Sequence, residues 1–304
     1  MNLLSLSRRR FFVGAAGALG SLAGLGGCST PLPLGTSAAP SNQPEAQRLL
    51  LDSAEAHGLA AYRSLSDISI SHTGEWRPLI DKVQPVVVDK TYRGSSQDRL
   101  LPKAGVVSQA YTGSAGRKQI AWQRGRGEGP ALGEVAVWYN DQPSTDPAVL
   151  TSSAVVAECY GLFPLGPLWL ADRGLVAQLG GTERVDGRVC EVVHVWMRPG
   201  LGRVALDRVS LCIDRTTGLT RRLRFTLEGH PTTQGAVAEV DTFDHERRFG
   251  VVWPMRLYEE VVHPLRLPAH DWHLTGLDVN RGLQPSDVLG PTWSALAARP
   301  AAPL

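Results

Sequence analysis

The chain has 304 residues, 43% of them apolar and 20% charged. That length excludes a disulfide-stapled miniprotein and suits one large core or two small ones, while the apolar share excludes a mostly disordered polymer. The 31 basic residues outnumber the 29 acidic ones, yet Arg8, Arg9 and Arg10 fall in a segment that reads as removable; without those three, 28 basic residues face 29 acidic ones. A near-neutral chain without a basic stripe is a poor partner for nucleic acid, whose binding rests on phosphate neutralisation.

The N-terminus reads as an address. Ser7-Arg8-Arg9-Arg10-Phe11-Phe12 resembles the twin-arginine export motif, and the Gly/Ala-rich apolar stretch Phe11 to Leu25 is too short to span a bilayer comfortably. Leu25-Gly26-Gly27-Cys28 resembles the bacterial lipobox, whose small residues let a peptidase reach the Cys that is acylated. Residues 1–27 are therefore expected to be a signal peptide and Cys28 a lipidated N-terminus. Ser29 in place of Asp favours the outer over the inner membrane. Residues 29–43 are mostly Pro, Ser, Thr, Ala and Gly, the composition of a flexible tether. Residues 290–304 are similar and are expected to be a disordered tail. Residues 44–289 then form one domain.

Pro44 suits a first helical turn, and Ala46, Leu50, Ala54, His57 and Ala61 fall on one stripe, which predicts a helix over 44–63. A strand follows at 67–76. Residues 90–140 hold several strands separated by Gly-rich turns, among them Gly113-Ser114-Ala115-Gly116. Asp146-Pro147 opens a second helix, predicted to reach Tyr160. The apolar, twice Pro-interrupted segment 162–170 must pack under a sheet or cover something apolar.

Strands are expected near 188–198, 204–214, 218–228, 235–246, 251–262 and 270–280. Asp186-Gly187 and Thr216-Thr217-Gly218 mark tight turns. Leu223, Phe225 and Leu227 alternate with Arg222, Arg224 and Thr226. The pattern is an antiparallel meander with one apolar face, and a meander this long must curl. The fold class is mainly β with helices (α+β): a curled antiparallel sheet, or incomplete β-barrel, enclosing two or more helices.

The order Val185-Asp186-Gly187-Arg188, Ile213-Asp214-Arg215-Thr216-Thr217-Gly218-Leu219 and Phe249-Gly250-Val251-Val252-Trp253-Pro254-Met255-Arg256 resembles the outer-membrane lipoprotein-sorting (LolA/LolB-like) superfamily over about residues 180–281. The resemblance implies a half-barrel that holds acyl chains between its sheet and apolar helices. On that reading the lining comes from Leu162, Phe163, Leu165, Leu168 and Trp169, and from Leu223, Phe225, Trp253, Met255 and Leu257. The same residues could instead be ordinary core.

With a hairpin centred near Leu201, Cys190 and Cys212 lie opposite each other, and an oxidising compartment would join them; the alternative is two small buried apolar side chains. His270-Asp271-Trp272-His273 is the best metal candidate: on a strand the two His residues point to opposite faces and cannot easily share one ion, whereas in a turn they could, and a solvated strand start is the favoured reading. Asp241, Asp244, His245 and Glu246 read as a solvated hairpin end. There is no Cys-x-x-Cys, Walker loop, strand-to-helix Gly-x-Gly-x-x-Gly, Gly-x-Ser-x-Gly or His-Glu-x-x-His, so no cofactor, metal or catalytic set is expected. The leading expectation is a periplasm-facing lipoprotein that binds a lipid or an acylated protein. An accessory protein holding a protein partner on the concave face, and an exported enzyme with an unrecognised site, are the alternatives.

Overall fold

The computed structural model describes residues 41–125, 132–227 and 235–304. The export motif, Cys28 and residues 29–40 of the expected tether lie outside them.

Thirteen strands form one antiparallel sheet among the described residues. The N-terminal half supplies β1 (Ile68–Trp76), β2 (Ser95–Leu101), β3 (Val106–Gly113), β4 (Gly116–Gln123), β5 (Glu134–Tyr139) and β6 (Gln142–Pro143). The C-terminal half supplies β7 (Val176–Val185), β8 (Arg188–Met197), β9 (Asp207–Asp214), β10 (Thr220–Thr226), β11 (Val237–Arg248), β12 (Val251–His263) and β13 (Leu267–Val279). Each half is a meander, and the pairing of β1 with β13 joins them, with Ile68 opposite Val279 and Trp76 opposite His270. The order is linear, so β6 and β7 remain edges and the curled sheet is an incomplete barrel. The expected fold class is the one observed.

The connection between those two edges is the main helix. In α5 (Pro147–Leu165) the Asp146 carboxylate caps the first turn, accepting the Ala148 N–H at 2.8 Å, and Pro147 stands where a missing N–H costs nothing. The helix is apolar on every side and buried from Ser152 to Leu165, because it crosses the concave face of the sheet. Its length and apolarity would also suit a membrane span, but its side chains are packed inside the protein. It runs past the predicted end at Tyr160 and stops at Gly166; α6 (Pro167–Ala171) follows. The apolar segment 162–170 is thus the last turn of one helix and most of the next.

The predicted helix over 44–63 is two helices, α1 (Pro44–His57) and α2 (Leu59–Ser64), with Gly58 between them at φ +96°. The expected stripe is correct: Ala46, Leu50, Ala54 and His57 are buried. Two short helices, α3 (Pro78–Val83) and α4 (Pro85–Val88), follow β1 and were not anticipated.

Two expectations about the ends need correction. The last residues of the expected tether are docked: the Gln43 N–H donates to the Ala177 carbonyl at 2.9 Å, and the Ala177 N–H to Asn42 Oδ1 at 3.0 Å. The expected disordered tail, residues 290–304, is a strap on the outer face, preceded by α7 (Pro285–Val288) and containing α8 (Ala295–Ala298). Trp293 and Ala297 pack with Leu101, Val106, Leu283 and Val288. Buried Arg99 holds the strap by donating to the carbonyls of Ala297 and Arg299, both at 2.8 Å, under the Trp293 ring. A Pro/Ala-rich composition resembles a linker, but a single Trp with a matching groove anchors it.

Candidate functional site

Most of the concave face is filled. On one side of α5, Glu158 sits among Trp122, Arg124, Trp169 and Arg173, beside a charged depression of about 850 Å³, part of it open to solvent. The other side of α5 leaves an apolar cleft. Its walls are Val155, Val156 and Phe163 from α5, Phe225 from β10, Leu227 just beyond it, Val261 from β12 and Ala269 from β13. Trp76, Ile80 and Val87, at the end of β1 and on α3 and α4, close the outer side. The empty space is about 540 Å³, part of it open to solvent. The two short helices make this wall because Pro78 and Pro85 each start one, Pro85 forces Gln84 before it out of the helical region, and Asp89 at φ +46° ends the second.

The ten residues expected to line a cavity divide into groups. Phe163 and Phe225 line the cleft. Leu257 borders a small void beyond Tyr160, together with His72, Asp98 and Trp272. Leu168 and Trp169 edge a polar depression on the far side, beside Arg63, Lys103, Arg124 and Arg173. Leu162, Leu165, Leu223, Trp253 and Met255 line none of these spaces and are core. Alternation in a strand says which face a residue takes, but not whether the facing helix touches it. The rest of the lining, from α3, α4 and the N-terminal part of α5, carried no periodic signal long enough to read.

The cleft carries one carboxyl group, Glu259 of β12. Burial among apolar walls raises its pKa from the usual carboxylate value to about 7, against the opposing pull of Arg93. Tyr160 and Cys159 border the same space, and burial pushes both upward, so both are neutral. His270 is stacked between Trp76, at 4.0 Å between ring centroids, and Trp272, at 4.5 Å. Burial drives its pKa well below the ordinary histidine value, so it too is uncharged. His273 is exposed, separated from buried His270 in burial as in strand face. Among the described residues no three His, Cys, Asp or Glu side chains converge as metal ligands.

The expected Cys190–Cys212 disulfide is a correction. Cys190 stands opposite Asp214 and Cys212 opposite Val192, so the register is two residues away from the one assumed, and both thiols are free. The two side chains share a small cluster with Val185 and Val192 on the outer face. Of the polar hairpin, Asp241 is paired with Arg222, and His245 accepts from Arg221 at 3.1 Å.

Neither a protein-family model nor a curated protein sequence matches the chain. Solved structures do. A LolA superfamily protein from Nitrosomonas europaea is 12% identical, over 80% of this chain and 96% of its own, with a TM-score of 0.48. A DUF1329 family protein from Desulfovibrio piger is 11% identical, over 81% of this chain and 97% of its own, also with a TM-score of 0.48. At this level the likeness concerns the course of the chain, and the reading of the cleft rests on its own residues.

Proposed function

We propose that the protein is an exported lipoprotein of the cell envelope, anchored through Cys28, that binds the acyl chain of a lipid or of an acylated protein in the cleft between α3–α5 and β10–β13. The observation that carries this reading is the cleft itself: an apolar slot between α5 and the sheet, whereas the opening on the other side of α5 is rimmed by Arg63, Arg124, Asp172 and Arg173. Each methylene that leaves water for such a slot contributes about 0.8 kcal/mol, so a chain of several carbons binds without any catalytic group. The reading is of a carrier, acceptor or sensor rather than an enzyme. A protein partner laid broadly on the concave face is disfavoured, because α5 already occupies that face. The export motif and lipobox support a periplasm-facing site, and Ser29 supports the outer membrane.

The test is native mass spectrometry of the full chain carrying Cys28→Ala, which lacks the lipobox thiol, from an exporting host, with a solvent extract run alongside. A stoichiometric lipid adduct, reduced by Val261→Phe in the cleft wall, is the expected result. A clean apo mass together with no uptake of an added fatty-acyl probe would overturn the reading.

A further inference from the structure

An apolar slot alone accepts any alkyl chain, so whatever selects among amphiphiles must be polar and must face the slot. Glu259 is the carboxyl that does so. It follows Leu257 by two residues on β12 and precedes Val261 by two, so it points inward with them. Among the described residues no hydrogen bond or ion pair reaches its carboxylate. A half-buried carboxyl with no partner is costly in a fold that satisfies most of its buried polar groups. It is the kind of local inconsistency that marks a binding site.

The groups around it define what would satisfy it. Cys159 and Tyr160 face it from α5, and neither is ionised. Gln84 faces it from the α3–α4 wall. His270, its neighbour on β13, is neutral, and its neighbour on β11 is Val240. Phe225 and Leu227 close the β10 side. The cation within electrostatic reach is Arg93, which is engaged with aromatic rings: its guanidinium lies 4.0 Å from the Tyr111 ring centre and 6.0 Å from that of Tyr160. His72 and Asp98 lie beyond Tyr160 and pair with each other at 3.0 Å.

We propose that Glu259 is the specificity-determining residue of the cleft: it accepts a hydrogen bond from a hydroxyl or amide N–H at the head of the bound acyl chain, and while ionised it keeps anionic amphiphiles out. The proposal rests on the acyl-chain reading of the cleft. An ionised carboxylate and a fatty-acid carboxylate in one apolar slot repel each other, and the apolar walls leave little water to screen the repulsion. A donor head finds an acceptor that is otherwise unmet, and a site built around an unpaired polar group rejects ligands that cannot pair with it. Protonation of Glu259 removes the repulsion, so the discrimination is a function of pH. Because its pKa is raised, the change falls near neutrality, above the range where the fatty acid itself titrates.

The test uses two probes with the same alkyl chain, decanamide and decanoate, as competitors of bound Nile red on the full-length Cys28→Ala chain between pH 6 and pH 9. At pH 8.5 decanamide is expected to displace Nile red at about tenfold lower concentration than decanoate, and the gap to narrow toward pH 6. Glu259→Gln is expected to bind decanoate about tenfold more tightly at pH 8.5 and to lose the pH dependence. Glu259→Leu, compared by thermal melting to show that the fold is kept, is expected to do the same. Equal displacement by both probes, or an unchanged ratio in Glu259→Gln, overturns this inference and leaves the acyl-chain reading standing. Failure of both probes to displace Nile red at every pH overturns both.

Discussion

Glu158 of α5 accepts the indole N–H of Trp169 of α6 at 3.0 Å, and so fixes the angle between the two helices that fill the barrel. The same carboxylate accepts from Trp122 at 2.8 Å, Arg173 at 2.9 Å and Arg124 Nε at 3.2 Å. Its burial is strongly unfavourable, yet two guanidinium groups and the indole donors outweigh it and hold the pKa at about 2. Glu158→Leu leaves Arg124 and Arg173 unpaired, and should destabilise the fold by about 3–5 kcal/mol in urea unfolding. Because the folded pKa is depressed, Glu158 contributes its stability above about pH 4.5 and loses it as pH falls toward 2. An unchanged urea midpoint in the variant would mean that the cluster is not the keystone of this end of the barrel.

Gly58 separates α1 from α2, and two observations make it irreplaceable. Its φ is +96°, and a Cβ built on it would lie 2.2 Å from the Gly250 carbonyl oxygen. Gly58→Ala should therefore lower stability by more than the roughly 1–2 kcal/mol that the left-handed conformation alone costs an L-residue. Gly174 has a similar φ of +61° but no atom within 4 Å of a built Cβ, so Gly174→Ala carries the conformational cost alone. Melting temperatures of the two variants measure the difference; equal losses would show that the approach to Gly250 contributes nothing.

This contrast also explains what the sequence made legible. The apolar stripe Ala46–Leu50–Ala54–His57 and the alternation at Leu223 and Phe225 are periodic, and periodicity reports burial directly. The break at Gly58 depends on a carbonyl 192 residues away, which no local pattern carries. The same holds for the strap: Trp293 is one residue in a Pro/Ala-rich stretch, and its groove is made by strands from the opposite end of the chain. In the cleft, Phe163 and Phe225 were readable as inward-facing. Glu259 was not readable, since the pair Glu259-Glu260 in a strand looks like two solvated side chains until Trp76 and α3–α5 are placed around the first of them.

The thiols of Cys190 and Cys212 should resist modification in the native protein. Both are on the outer face, yet neither is exposed, because Glu183 of β7 reaches over them to Arg222 at 3.0 Å and Arg224 at 2.7 Å. Burial also pushes the Cys212 thiol up to about 12, which removes the nucleophilic thiolate at ordinary pH. Glu183→Ala removes this cover while Arg224 keeps its 2.9 Å bond to Glu239, so the sheet should survive. An aromatic disulfide reagent at pH 8 should then react with Cys212 at least about tenfold faster than in the parent protein. Equal rates, or a Cys190–Cys212 disulfide in mass spectra of unreduced protein, would contradict this arrangement.

Acid should unfold the protein through its histidines. His57 donates from Nδ1 to the Val252 carbonyl at 3.3 Å and accepts the Thr220 N–H on Nε2 at 3.0 Å, an arrangement that needs the neutral ring. Burial lowers its pKa to about 4, and lowers those of His194 and His245 to about 4 as well, with Arg208 and Arg221 adding to the effect at the latter two. In the unfolded chain these rings take up protons near pH 6.5, so each withdraws stability as pH falls from 6.5 toward 4. Glu259 acts in the opposite sense: its raised pKa means that stability is gained as pH falls through about 7 toward 4.5. The histidines outnumber it, and the net slope between pH 6 and pH 4.5 should be a loss. His57→Gln, which keeps one donor and one acceptor, should reduce that slope by up to one proton, or about 1.4 kcal/mol per pH unit. Glu259→Gln should steepen it. Urea midpoints at pH 7, 6 and 5 for the three proteins separate the two contributions, and parallel curves for all three would show that neither group governs the acid limb.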